Sequence, residues 1–290
     1  MGTIIIAEVG ECFNGVIDNA YTMIKEAKKA GCDIVKFQLL DMCEVAKDDP
    51  EYDWFAKLYL SPEHISGLVS CARENQIEIL FTPVSVKTAE FIYNAGLKSV
   101  KIASSFINKK ELLSYINEKF DTVYVSTGMA EIEEISEVID ELNKPREIIL
   151  LHCVSEYPTG PLLEQCGLKA LNEEDVHMNM MLMLKEMYPD YKIGYSDHTD
   201  GILVPITAVA MGAEGIEKHF TLDRKTPIEH YNNQGEYMGT DHVLSIEPPE
   251  LQQMVNTIRR VENIKGTWEW KRSEGEEILR KFLRGRYTER

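Results

Sequence analysis

Hydrophobic and polar positions follow two alternating regimes from one end of the chain to the other. Short runs rich in β-branched and aromatic residues predict strands at TIIIAE (3–8), DIVKFQ (33–38), EILFTP (78–83), SVKIAS (99–104), TVYVSTG (122–128), EIILLHC (147–153), KIGYSDH (192–198) and GIEKHFT (215–221). Between them, apolar residues recur at helical spacing. NAYTMIKEAKKAG stops at Gly31, and SPEHISGLVSCAREN opens with Ser61 as N-cap and Pro62 at the first helical position. EIEEISEVIDEL and LSIEPPELQQMVNTIRRVE follow the same logic, the second starting at Pro248 or Pro249. Eight βα units in strict alternation predict an α/β fold, a (β/α)8 TIM barrel over residues 1–266, with a helical tail at 267–290. The structural alternative is a doubly wound sheet, but no G-x-G-x-x-G follows any strand, so a dinucleotide fold lacks its fingerprint.

In such a barrel, reactive groups gather where the C-terminal ends of the strands meet. Those ends read Glu8, Lys36, Thr82, Lys101 with Ser104, Ser126 with Thr127, His152 with Ser155, Ser196 with His198, and Glu217 with His219. A single serine or histidine at a strand end is more often a cap or a satisfied core group. The whole set is harder to dismiss, because barrel interiors take branched apolar residues and burying lysines and glutamates without partners costs several kcal/mol.

Ser196 and His198 are two residues apart, as are Glu217 and His219, so each pair shares one face of its strand. Strands seven and eight are neighbours in a closed barrel. His198 and His219 therefore form a two-imidazole platform that suits a divalent ion such as Mn²⁺ better than a closed structural zinc site. Lys36 and Lys101 bring positive charge, and Thr82, Ser104, Ser126 and Ser196 bring hydroxyls, the set a phosphate beside a carboxylate requires. One lysine about 4 Å from a phosphate is worth about 4 kcal/mol at an effective dielectric near 20, before desolvation is subtracted.

Composition narrows the partners. With 31 basic and 48 acidic residues the formal charge is −17, the opposite of a nucleic-acid binder. That excess opposes an anionic substrate only over the screening distance of about 8 Å, inside which local lysines prevail. The six cysteines, at 12, 32, 43, 71, 153 and 166, form no C-x-x-C pair and read as free thiols in a reducing compartment. MGTIIIAEVG lacks the features of a signal peptide, Ile6 breaks the myristoylation pattern, and no apolar run is long enough to span a bilayer. A cytoplasmic protein is expected. The Met-rich stretch VHMNMMLMLKEMY (176–188) reads as an adaptable packing face, the carboxylates of EIEEISEVIDEL as a solvated helix surface, and Trp268 and Trp270 as packing groups of the tail.

IIIAEVGECFNG, DIVKFQ, LFTPVS, VKIASS, VSTGMAEIEE, LLHCVSEYPT, IGYSDHT, IEKHFTLD and GTDHVLSIEPPEL resemble, in order and spacing, the sialic acid synthase family, also called the N-acetylneuraminate synthase or NeuB-like family. The resemblance runs from about Ile4 to Gly266. It implies condensation of phosphoenolpyruvate with an N-acylated amino sugar, typically N-acetylmannosamine, to a nine-carbon 2-keto acid and phosphate. The implied cofactor is a divalent metal, Mn²⁺ with Mg²⁺ or Co²⁺ as alternatives. Carried over by motif, the resemblance gives phosphoenolpyruvate to Lys36, Thr82, Lys101, Ser104, Ser126 and Ser196, with Ser155 where the family commonly has Asn. It gives the metal to His198 and His219. The sugar and its proton transfers fall to Glu8, Tyr157, Glu217 and Asp241, with Lys36 among the catalytic groups.

The chain also departs from the family. Phe106 replaces a carboxylate, and 223–240 is longer than the usual turn and reads as an inserted loop at the mouth. KRSEGEEILRKFLRGRYTER resembles the linker helix before an antifreeze-like domain that, in typical bacterial members, sends an arginine to the sugar's acyl group. The expectation is that the acceptor differs, or that the inserted loop or a separate antifreeze-like domain protein substitutes. A homodimer is expected from the family's habit. The rival expectations are a phosphoenolpyruvate-dependent aldol synthase with another aldose, and a non-catalytic metabolite-binding relative.

Overall fold

The computed structural model describes residues 2–49, 52–156, 171–225 and 240–287; Tyr157, Cys166 and most of the 223–240 segment lie outside the described residues. Eight strands alternate with helices: β1 (Ile4–Glu8), β2 (Ile34–Leu39), β3 (Glu78–Pro83), β4 (Ser99–Ile102), β5 (Thr122–Ser126), β6 (Glu147–Cys153), β7 (Lys192–Asp197) and β8 (Gly215–His219). They form one parallel sheet in the order β3-β2-β1-β8-β7-β6-β5-β4. β3 and β4 lie side by side at its two edges, where Ser99 Oγ donates to Glu78 Oε1 at 3.3 Å, so the sheet curls into the predicted (β/α)8 barrel.

The strand pleat sorts the apolar residues into two cores. Outward positions such as Ile5, Ala7, Val35, Phe37, Ile79, Phe81, Val123 and Val125 pack against the helices in the main core. Inward positions Ile6, Ile34, Leu80, Tyr124, Ile149 and Leu151 form a second, smaller core that plugs the barrel. Each fully buried Ile or Leu in these layers contributes about 1.5–3 kcal/mol. This is why both faces of β1, β2, β3, β5 and β6 carry apolar residues and these strands read as near-continuous hydrophobic runs.

The helices are α1 (Ile17–Ala30), α2 (Tyr52–Leu58), α3 (Pro62–Glu74), α4 (Val86–Asn94), α5 (Lys110–Lys119), α6 (Ile132–Glu141), α7 (Asn179–Met187), α8 (Leu203–Met211), α9 (Thr240–Leu244), α10 (Pro248–Lys265) and α11 (Glu274–Tyr287). Local chemistry sets their starts. Ser61 accepts from His64 N at 3.3 Å and Ser85 accepts from Thr88 N at 3.2 Å, satisfying backbone donors that the first turn leaves free. α10 returns across α1 and α8 and holds the β1 and β8 side of the ring.

Two expectations about packing need correction. In the Met-rich segment Met181 and Leu184 are buried, but Met180, Met183 and Met187 form an outward stripe, so only one side of α7 packs. Trp268 and Trp270 are fully exposed, because the chain leaves the barrel surface after α10 instead of folding back on it. The five described cysteines are free. No helix among the described residues is long and apolar enough to cross a membrane.

Candidate active site

One pleat above the inner plug, the inward positions change from apolar to ionic. Ile6 is followed by Glu8, Ile34 by Lys36, Leu80 by Thr82 and Tyr124 by Ser126, each two residues further toward the C-terminal mouth. Strand register then sets neighbours: Glu8 lies opposite Lys36 and His219, and Ser196 lies opposite Glu217. Lys36, Thr82, Lys101, Ser104, Ser126, Ser155, Ser196, His198, Glu217 and His219 all line one cavity of about 280 Å³. Glu8 does not line the cavity; it is fully buried against Lys36 and Gln38, which do.

The ionic contacts form a chain. Lys36 Nζ is 2.6 Å from Glu8 Oε2, 3.1 Å from Thr82 Oγ1 and 3.6 Å from Glu217 Oε2. Lys101 Nζ is 3.6 Å from Glu217 Oε1, which also accepts from Ser196 Oγ at 2.9 Å. All four charged side chains are at most 5% exposed. Burial works against the charge of Lys36, but Glu217 and Glu8 outweigh it and hold its pKa above the ordinary lysine value. Burial wins at Lys101, which Glu217 only partly compensates, and its pKa is lowered. Burial also opposes ionisation of Glu217, yet Lys101 and Lys36 bring its pKa down to about 2. Two carboxylates and two ammoniums cancel, so the pit can accept a dication and a polyanion together.

Among the described residues Lys101 makes no hydrogen bond of its own, and Ser126 Oγ is buried without one. Close by, Gly128 N donates to Ser104 Oγ at 3.1 Å, and a Cβ on Gly128 would stand 2.2 Å from Ser155 Oγ and 2.8 Å from Ser104 Oγ. Glycine thus lets three strand ends converge around open donors. A phosphate, with its three acceptor oxygens, fits such a group.

His198 and His219 face each other with ring centroids 5.5 Å apart. His198 Nδ1 donates to Val154 O at 2.8 Å, which fixes the orientation of the ring. Burial opposes its charge, but Cys153 and the Val154 carbonyl push its pKa up to about 9, so a cation there displaces a proton. Burial pushes His219 down to about 3, a neutral imidazole at physiological pH. Its Nδ1 is buried without a hydrogen bond, 3.7 Å from Asp241 Oδ2. Among the described residues no group of three or more His, Cys, Asp or Glu side chains is arranged to hold a metal. Two facing imidazoles, one with an orphaned buried nitrogen, could supply at most two positions to an ion, the rest falling to water or substrate oxygens as in an open site.

Several placements differ from a simple reading of strand ends. His152 points away from the cavity: its Nε2 donates to Val176 O at 2.9 Å and its ring lies against Tyr195 in the helix layer. Asp241 stands behind His219, accepting from Glu11 N at 3.0 Å. Gly10, at φ +51°, admits it there, since a Cβ would lie 2.2 Å from Asp241 Oδ2. Burial raises the Asp241 pKa. Phe106 does not line the cavity and packs beside the main core. Gln38, which strand-end reasoning passed over, donates to Glu8 Oε1 at 3.0 Å and lines the cavity. Its signal was present in the sequence: it lies two residues beyond Lys36 on the same strand face.

Comparison with known proteins agrees with this architecture. An uncharacterized protein of Methanocaldococcus jannaschii is 39% identical over 92% of this chain and 73% of its own length. The N,N'-diacetyllegionaminic acid synthase of Legionella pneumophila is 33% identical over 99% of this chain and 80% of its own. A crystal structure of an N-acetylneuraminic acid (sialic acid) synthetase from Leptospira borgpetersenii, in complex with citrate, superposes with a TM-score of 0.86 at 30% identity, covering 100% of this chain and 94% of that one. Residues 23–270 match the NeuB family, and the chain belongs to it.

Proposed function

We propose that this protein condenses phosphoenolpyruvate with an N-acylated amino sugar of the N-acetylmannosamine type, releasing phosphate and a sialic-acid-like nonulosonic acid. The observation that carries this reading is the burial of Lys36, Lys101 and Glu217 beside two facing imidazoles in one cavity, with Glu8 buried against Lys36. Four ionic side chains in a barrel interior are costly unless a charged ligand completes them. The synthases among its relatives support the reaction class.

Lys101, Ser104, Ser126 and Ser155 receive the phosphate, and Lys36 with Thr82 and Ser196 holds the carboxylate end. His198 and His219 hold a divalent cation, Mn²⁺ or else Mg²⁺ or Co²⁺, which supplies Lewis-acid polarisation of the sugar's aldehyde oxygen. C3 of phosphoenolpyruvate then attacks the aldehyde carbon, whose oxygen takes up a proton. Water adds at C2, Glu8 or Glu217 accepts its proton, and phosphate departs with cleavage of its bond to C2. Ionised Glu217, between the two lysines, faces the cation that develops at C2. Tyr157 and Asp241 belong to the sugar end in this reading.

Phosphate release with phosphoenolpyruvate, Mn²⁺ and a panel of aldoses tests it. Turnover with mono- or di-N-acylated hexosamines is expected. Turnover only with non-acylated aldoses would move the protein to the other class of aldol synthase, and none with any sugar would favour a binding role. Its place of action follows the same reading: substrates of central metabolism suit a protein of the cytoplasm.

A further inference from the structure

Behind the imidazole pair, on the face of the sheet turned away from the cavity, lies a second ionic group that the reaction does not use. Asp197 on β7 and Lys218 on β8 are register partners, and Lys218 Nζ meets Asp197 Oδ2 at 2.6 Å with both side chains 0% exposed. Thr199 Oγ1 bonds to Asp197 Oδ1 and Oδ2 at 2.8 and 3.1 Å, and Thr199 N reaches Oδ1 at 3.3 Å. Lys218 Nζ also donates to Thr199 O. Every oxygen of the carboxylate is engaged, and nothing in the group faces a ligand.

Outward positions on the other strands are mostly apolar, among them Ala7, Phe37, Phe81 and Val125, with His152 on β6 a polar exception. Apolar residues fill this layer well, and a buried ion pair replaced by matched apolar side chains commonly loses no stability. Registry is what such a pair can add. Each imidazole is the chain neighbour of a clamp residue: His198 lies between Asp197 and Thr199, and His219 follows Lys218. A slip of one residue between β7 and β8 would turn the inward side chains outward.

We infer that Asp197, Lys218 and Thr199 form a positioning clamp that sets the separation and orientation of the His198 and His219 rings for a divalent cation. The inference rests on the metal reading given above.

The test is calorimetric titration of Mn²⁺ into folded protein. In the double variant Asp197→Leu/Lys218→Met, melting close to or above wild type is expected, with Mn²⁺ bound about tenfold or more weakly, the usual cost of losing an outer support of a ligand. The visible spectrum of bound Co²⁺ should change as well, which a loss of stability alone does not produce. As a control, Glu147→Leu/Lys192→Met removes the exposed β6–β7 pair at the opposite end of the barrel, 2.5 Å apart, and should leave Mn²⁺ affinity within about twofold. Unchanged Mn²⁺ affinity and Co²⁺ spectrum in the folded clamp variant overturn the inference. If that variant does not fold, Thr199→Val decides: about threefold weaker Mn²⁺ binding supports the clamp and undiminished binding overturns it. Failure of the wild type to bind Mn²⁺, or binding untouched by His219→Ala, defeats the metal reading itself and is thereby distinguished from failure of the clamp alone.

Discussion

The two ends of the barrel carry charges in similar pairings and opposite solvent. At the N-terminal end, Arg259 reaches Asp33 at 2.9 Å and Lys192 reaches Glu147 at 2.5 Å, with each side chain between 34% and 45% exposed. At the C-terminal end, Lys36 reaches Glu8 at 2.6 Å with at most 3% exposed. Distance does not separate the two sets, and neither does cavity size. The hollow at the N-terminal end, lined by Asp33, Glu78, Tyr124, Arg259 and Glu262, holds about 390 Å³, more than the 280 Å³ above. Exposed pairs cost little and are worth about 0–1 kcal/mol, so they need no further purpose. Buried ones require compensation: Thr199 completes the Asp197–Lys218 pair from within the chain, and at the mouth the proposed ligand supplies it.

The sharpest way to break this contrast is His219→Ala. In the proposed reaction this removes one of two cation ligands and several kcal/mol of transition-state stabilisation, so metal-dependent phosphate release should fall by about 10³-fold or more while circular dichroism stays unchanged. Retained turnover would take His219 out of the metal site. Next comes Lys101→Met. Loss of a charge-assisted contact of about 1.5–3 kcal/mol should raise the apparent KM for phosphoenolpyruvate roughly 10- to 100-fold. The same change at Lys192 should leave that KM where it was, and equal effects at both ends would erase the distinction.

The smallest effect concerns His152. Burial lowers its pKa below the ordinary 6.5 in the folded protein, so between the two values the unfolded chain binds more protons. The stability it confers as a neutral ring is present above pH 6.5 and is lost as pH falls through that value toward the folded pKa. Melting temperature measured from pH 8 to 5.5 should therefore decline less in His152→Gln than in wild type. An identical slope would contradict the buried, neutral assignment.

Strand periodicity made the barrel legible, because parallel strands covered on both faces leave unbroken apolar runs between helical patterns. The ionic ring was legible for a related reason: Lys36, Lys101, Glu8 and Glu217 interrupt those runs at their C-terminal ends. Phase was the weak point. His152 looks like a mouth residue until one notes that Ile149, Leu151 and Cys153 carry the inward phase of β6, which turns residue 152 toward the helices. Asp241 could not have been placed behind His219 from the sequence, since its contact with Glu11 spans 230 residues and depends on how the barrel closes. Only part of the clamp was legible: Asp197, beside His198, reads as a residue that orients a neighbour from behind, whereas Lys218 lies between Glu217 and His219, which drew the chemical reading.

A crystal of the protein grown with Mn²⁺ and phosphoenolpyruvate, with diffraction recorded at a wavelength where manganese scatters anomalously, bears most directly on the buried charges as a ligand site. An anomalous peak within coordination distance of both His198 and His219, with the phosphate beside Lys101, is the expected result. Manganese bound elsewhere, or phosphoenolpyruvate remote from Lys36 and Lys101, would contradict it.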